Sequence, residues 1–220
     1  TRLVDIKHVR EVSKEQAIKF GGHVLGEAPG AIGSRYKPGD YHIQRVAGEL
    51  YWVAPLEFQG FSKWWSYNHT TGYIMVSAED RTRKPELHTE YQGKEFKFKY
   101  MPSAYWGDNL KRHLYANGYN IYKLKDFTFE IDDEMRPWWV VTALHPTIQY
   151  WGDQVDGVII VDPETGEHRF YKVGEVPEWV DRVYPEEFLF LLFWHQKSSK
   201  KVPGASMRRL MESRGNIRVA

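Results

Sequence analysis

The fold is decided by residues 127–184. The stretch opens FTFEIDDEMRPWWVVTALHP (127–146), passes through a Gly/Asp loop, and continues DGVIIVDPETGEHRFYKVGEVPEWVDRVY (156–184). Phe127, Phe129 and Ile131 alternate with polar residues, the period-two pattern of a strand with one wet face. DDEMR (132–136) turns the chain, and PWWVVTAL (137–144) returns it as a second strand. Residues 158–161 are a continuous apolar run, which predicts a central strand. Asp162-Pro163-Glu164-Thr165-Gly166 is a strong turn: Asp accepts from the backbone two residues on, Pro fixes φ, and Gly takes the left-handed position. Residues 168–171 pair back. The stretch reads as two hairpins joined by a loop, with 177–183 as one helical turn starting at Pro177.

Upstream, residues 41–88 read as a weaker version of the same plan. Residues 41–46 alternate, Ala47-Gly48-Glu49 turns, and LYWVAPL (50–56) returns, a hairpin signature. Phe58, Phe61, Trp64 and Trp65 mark an aromatic helical turn or packed loop. GYIMVSA (72–78) is the best buried strand of this half, and 85–88 pairs back across a charged turn. The correspondences keep their order along the chain. Trp52 and Trp139 lie 87 residues apart, and Val76 and Val161 lie 85 apart. A helix is predicted before each pair of hairpins. Ser13-Lys14-Glu15-Gln16 matches a capping box, followed by Ala17, Phe20 and Val24. Ser103, 90 residues on, is read as the N-cap of a helix over 104–116 carrying Leu110 and Leu114 and ending at Asn117-Gly118. EFKFKY (95–100) reads as a strand, and 25–39 as a Gly/Pro/Ala-rich loop.

The expected fold is therefore α+β in two tandem units, each an antiparallel sheet of about four strands covered by one helix. The first unit spans 1–94 and the second 95–185. Residues 186–220 form a C-terminal helix and basic tail, with PEEFLFLLFW (185–194) as an apolar helix and MRRLMESR (207–214) as an amphipathic one.

Composition narrows the chemistry. Thirty Lys+Arg stand against 29 Asp+Glu, so no global charge favours nucleic acid. There is no cysteine, which removes disulfides, thiolate metal sites and cysteine nucleophiles together. The 9 Trp, 14 Tyr and 11 Phe favour strands and supply rings for a binding groove. No apolar run reaches the ~20 residues that span a bilayer. No signal peptide opens the chain, which starts on Thr1 and is read as an internal piece of a longer protein.

No catalytic motif stands out. The nine histidines form neither HxH nor HExxH, and no GxSxG, Walker or dinucleotide glycine pattern is present. Glu130, Asp132, Asp133 and Glu134 are the densest acidic cluster, read first as a solvated hairpin turn. No metal and no cofactor is expected. Aromatic residues at 188–194 precede a basic run, a combination that suits a membrane-surface contact.

DGVIIVDPETGEHRFYKV (156–173) resembles the end of a PepSY-type unit, in which a strand of the form hydrophobic-x-V-D-x-x-T-G-E runs into its partner. A longer resemblance rests on KYMPSAYWGDNLKRHLYANGY (99–119), FEIDDEMRPWWVVTAL, DGVIIVDPETGEHRFYKVGEVPEWVDRVYPEEF (156–188) and the upstream QRVAGELYWVAPL and GYIMVSA. These look like the extracytoplasmic part of large multi-span membrane proteins of Gram-positive bacteria. The resemblance implies a location at the extracytoplasmic face of the membrane or cell envelope, and no activity.

The expected function is a non-enzymatic extracytoplasmic interaction module that binds a protein or peptide at a sheet edge or in an aromatic groove. The loops joining the hairpins, 64–71 and 147–156, supply the candidate binding residues Trp64, Trp65, Tyr67, Tyr150 and Trp151. The alternative is a carbohydrate-binding or cell-wall-modifying protein, with Trp64, Trp65, Trp106 and Trp151 as stacking platforms and the 130–134 acids as its chemistry. A virion or assembly protein is a third reading. Nucleic acid is not an expected partner. The membrane would be reached through parts outside this chain or through the C-terminal segment.

Overall fold

A computed structural model describes residues 10–146 and 153–181. Tyr150, Trp151 and the helices expected at 185–194 and 207–214 lie outside the described residues. The first helix, α1 (Lys14–Glu27), starts where its capping box places it. Gln16 N donates to Ser13 Oγ at 3.3 Å and Ser13 N donates to Gln16 Oε1 at 3.0 Å, so two of the orphan donors of the first turn are satisfied reciprocally. Ala17, Gly21 and Leu25, four residues apart, form its buried face. Gly21 is required there, because a Cβ would overlap the hydroxyl of Tyr41.

The loop expected over 25–39 is more ordered than its composition suggests. A short helix α2 (Ile32–Arg35) leads into strand β1 (Tyr36–Pro38). Strands β2 (His42–Val46) and β3 (Glu49–Phe58) make the first hairpin. Helix α3 (Phe61–Tyr67) follows, then β4 (Tyr73–Ser77), buried at all five positions, and β5 (Glu86–His88). The sheet is antiparallel in the order β1-β3-β4-β5, with β2 beside β3. Helix α1 packs against β1, β4 and β5, and so gives that sheet the cover its apolar residues need.

A two-stranded ribbon, β6 (Glu90–Tyr91) and β7 (Lys94–Glu95), leads to helix α4 (Leu110–Ala116). Strands β8 (Lys123–Ile131), β9 (Pro137–Pro146), β10 (Asp153–Val161) and β11 (His168–Lys172) then form a four-stranded antiparallel sheet in sequential order. Each sheet has a tryptophan paired on both sides. Trp52 stands opposite Val76 and Ile43 in the first. Trp139 stands opposite Val161 and Phe129 in the second. The fold class is α+β, and one hydrophobic cluster draws on both sheets, including Trp52, Val76, Phe129, Trp139 and Val161. Strand β8 lies against β2 and β3.

Two local expectations are corrected. The helix expected from Ser103 over 104–116 begins six residues later. Asn109 is its N-cap, its side-chain oxygen accepting from Arg112 N at 3.1 Å, and a 3-10 turn occupies Trp106–Asp108. The competing cap won because Asn109 also ties the preceding loop, donating to Pro102 O at 2.9 Å and Ala104 O at 3.1 Å. EFKFKY is extended and buries Phe96 and Phe98 alternately as its pattern requires, yet only Lys94–Glu95 belongs to a strand. Phe98 makes an isolated bridge with Thr70 instead.

The acidic turns are structural. Asp132 Oδ1 accepts from Glu134 N at 3.0 Å and Arg136 N at 2.8 Å, while Oδ2 accepts from Trp138 Nε1 at 2.9 Å. Asp162 Oδ1 closes the DPETG turn by accepting from Glu164 N at 2.7 Å and Thr165 N at 3.2 Å. Its Oδ2 pairs with Arg136 at 2.6 Å.

Candidate functional site

Helix α3 carries Phe61, Trp64 and Trp65 at i, i+3 and i+4, which puts three aromatic rings on one side of a two-turn helix. The second half of the site comes from the segment just ahead of α4. Tyr105 ends in extended backbone and Trp106 turns left-handed, with φ 51. A bulky residue in that region is a genuine outlier, tolerated only where its surroundings over-determine it. Here the loop is pinned by the two Asn109 bonds and by Leu110 N donating to Met101 O at 3.0 Å.

The five rings meet around Trp64. Its ring centroid lies 5.7 Å from Phe61, 6.2 Å from Trp65, 5.5 Å from Tyr105 and 5.4 Å from Trp106. Trp64 itself is buried, and its indole N–H meets no hydrogen-bonding group among the described residues. The other four are open: Phe61 is 45% exposed, Trp65 64%, Tyr105 37% and Trp106 56%. Among the described residues the only other large hydrophobic side chains as exposed are Ile18 and Ile121. Four of the six therefore share one patch.

The rings do not share one plane. Trp65 and Trp106 are at 89°, Phe61 and Tyr105 at 87°, and Phe61 and Trp106 at 72°. Only Phe61 and Trp65 are close to parallel, at 28°. The exposed rings thus meet largely edge to face, in a notch whose floor is the buried Trp64.

A cleft of about 600 Å³ adjoins the notch, sharing Tyr105 and Trp106 and lined also by Lys37, Ser103, Asn109 and Arg112. Lys37 and Arg112 are exposed and take part in no ion pair among the described residues. Glu57 stands opposite Lys37 in the β1–β3 register, and burial raises its carboxyl while Lys37 acts in the other direction. Asp108 is occupied by Lys99 at 3.5 Å. The Ser103 hydroxyl, freed from the capping role expected of it, is buried and meets no hydrogen-bonding group among the described residues.

Of the expected binding residues, Trp65 is an open wall of the notch and Trp64 its floor. Tyr67 is half-buried away from it, packed edge-on against Tyr36 at 6.2 Å with the Arg35 guanidinium 4.9 Å from its ring. Tyr150 and Trp151 lie outside the described residues. The sequence reading missed Phe61 and Tyr105. Their signal was available, since Tyr105-Trp106-Gly107 is an adjacent aromatic pair before glycine, poorly placed for a helix interior.

The acids of 130–134 do not converge on a solvent site. Glu130 is 2% exposed and accepts from Thr128 Oγ1 at 3.1 Å and Asp181 N at 2.9 Å. Among the described residues no group of three or more His, Asp or Glu could hold a metal ion, and no helix is long and apolar enough to cross a membrane. His113 Nε2 and His168 Nδ1 both meet the Gly166 carbonyl, at 2.8 and 3.1 Å, and so fasten α4 to the DPETG turn. Comparison of the chain with protein-family models, with curated proteins and with solved structures finds no match.

Proposed function

We propose that this protein is a binding module and that the notch formed by Phe61, Trp65, Tyr105 and Trp106 takes an extended peptide segment of a protein partner. The observation that carries the reading is the gathering of four exposed rings, from two separate elements, around one buried tryptophan. Tyr and Trp present large rigid area at little entropic penalty and dominate the energetics of interfaces. The left-handed backbone of Trp106 supports the same reading, because strain at an exposed ring gains the folded protein nothing by itself.

Ring orientation favours a peptide over a glycan or a single strand. Stacking platforms for those ligands present ring faces that successive sugars or bases can lie against. Rings at 72–89° to one another offer no continuous flat face and instead fit a compact side chain such as Pro, Leu or an aromatic ring. Carbohydrate remains a second reading on one observation, the exposure of Trp65 and Trp106, each able to stack a single sugar ring.

The architecture proposed to carry the notch is a duplicated PepSY-like unit. The matching registers Trp52/Val76 and Trp139/Val161, and the shared order of two hairpins joined by a connecting segment, support duplication. The proposed setting is the extracytoplasmic face of a membrane or cell envelope, which rests on the sequence resemblance.

Panning a random dodecapeptide phage library against the immobilised protein tests the function. The expected result is a family of peptides with a common apolar or aromatic position, none retained by the Trp106→Gly variant. Recovery of no peptide family, together with binding on a glycan array that depends on Trp65, would replace this reading with the carbohydrate one.

A further inference from the structure

The notch does not end at its aromatic walls, and what lies beside it narrows the ligand. We infer that the adjoining cleft recognises an acidic side chain of the bound peptide, one or a few residues from the apolar residue held in the notch. This inference rests on the peptide reading above and makes it more specific.

Charge complementarity carries it. The cleft is lined by Lys37 and Arg112 and by no acidic residue. Neither cation is in an ion pair within 4 Å among the described residues. The acid nearest in sequence to Arg112, Asp108, is already paired with Lys99. The cleft therefore presents Arg112 without a carboxylate partner among the described residues, beside Lys37, which faces the largely buried Glu57 across β1 and β3, and a guanidinium is the side chain best matched to a carboxylate.

Ser103 contributes to the cleft wall, while its Oγ is buried and out of reach of a ligand. Asn109 cannot compete for the ligand. Both its amide hydrogens and its oxygen are engaged with Pro102 O, Ala104 O and Arg112 N. Those bonds fix the loop bearing Trp106 to the first turn of α4, so the Arg112 cation and the aromatic wall are held on one rigid piece.

A side-chain carboxylate fits better than a chain terminus. The donors are side chains spread along an open cleft, which lets a peptide run through. Terminal carboxylates are captured by clustered backbone N–H groups at a closed end, and the N–H groups of Ala104, Asn109, Leu110 and Arg112 are already bonded within the protein.

The test is a positional-scanning hexapeptide library, synthesised once with amidated and once with free C-termini, bound to the wild-type protein and to Arg112→Gln, Lys37→Gln and Trp106→Gly. The wild type should select Asp or Glu at one position near an apolar or aromatic residue, equally in the amidated set. Arg112→Gln should weaken the acidic peptides about tenfold while leaving their Asn/Gln counterparts unchanged, in line with a partly screened charge pair. Lys37→Gln should act in the same direction but less. Selection of apolar residues without any acidic preference would overturn the inference and leave the peptide reading standing. Acidic preference confined to free C-termini would overturn it in favour of terminal capture. Selection of no peptide by the wild type would overturn both.

Discussion

The side-chain amide of Gln44 hydrogen-bonds to both backbone polar groups of Ile131. Its Nε2 donates to Ile131 O at 3.0 Å and its Oε1 accepts from Ile131 N at 3.1 Å. Both residues are buried, Gln44 at 2% exposure. Ile131 ends β8, an edge strand of its sheet, and because the next pair, Asp132 and Arg136, is the hydrogen-bonded one, the N–H and C=O of Ile131 point away from β9. A side chain from β2 therefore takes the place of a neighbouring strand and joins the two sheets. Gln44→Leu preserves the volume and leaves a buried N–H and C=O unpaired. The variant should lose about 2–4 kcal/mol in urea denaturation, and the Ile131 amide should exchange faster with solvent.

Gly21 and Tyr41 form a second coupled pair. The Tyr41 hydroxyl fills the space a Cβ at residue 21 would occupy, and it has no hydrogen-bond partner among the described residues. Tyr41→Phe should stabilise the protein by about 1 kcal/mol, since it removes a buried, unpaired group. Gly21→Ala should destabilise it despite the better helix propensity of alanine. In the double variant the overlap with the hydroxyl is gone, so the two changes should be coupled by more than about 1 kcal/mol in a double-mutant cycle.

Alkaline stability follows from buried tyrosines. Burial pushes the hydroxyl of Tyr41 up to about 12. Burial, followed by the hydrogen bond to Glu49, does the same to Tyr51. Burial also raises Tyr73, with nearby Asp132 adding to it. A phenol is neutral when protonated, so the folded protein keeps protons that an unfolded chain releases near 10. The stabilisation is complete below pH 10 and is lost as pH rises through about 12. Denaturation midpoints should fall between pH 10 and 12, and tyrosinate absorbance should appear in a late phase that coincides with unfolding. The Tyr41→Phe variant should resist that loss better than the wild type.

Much of the fold was legible because local signals agreed with tertiary packing. Ser13 with Gln16 located α1, Trp52 and Trp139 marked the returning strands of two hairpins, and Val76 and Val161 marked strand ends, all four of which lie in strands. The misreading at Ser103 has a definite physical cause. Ser103 and Asn109 are both competent caps, and only tertiary hydrogen bonds to Pro102 and Ala104 select Asn109. The strand pattern of 95–100 described burial correctly but could not reveal that, among the described residues, the segment pairs only at Glu95, with β6, and at Phe98, in a single bridge. At the candidate site the sequence picked out Trp64 and Trp65 without distinguishing floor from wall. That distinction depends on Tyr105 and Trp106, 40 residues away in the chain and in contact only after folding.

Trp106 should show a trade between stability and binding. Trp106→Ala removes the ring but keeps a side chain at φ 51. Trp106→Gly removes the ring and relieves the backbone, so it should be more stable than the alanine variant by about 1 kcal/mol. Paired thermal and chemical denaturation of the two variants checks this. Equal stability would mean that the left-handed turn carries no strain.

The claim that the aromatic notch is the binding surface is tested most directly by fluorescence anisotropy of one library-selected, labelled peptide against the wild type and Trp106→Gly. The account predicts at least a tenfold weaker Kd for Trp106→Gly, as expected for a central aromatic contact, with a Tm no lower than that of Trp106→Ala. Unchanged affinity in the folded variant would contradict it.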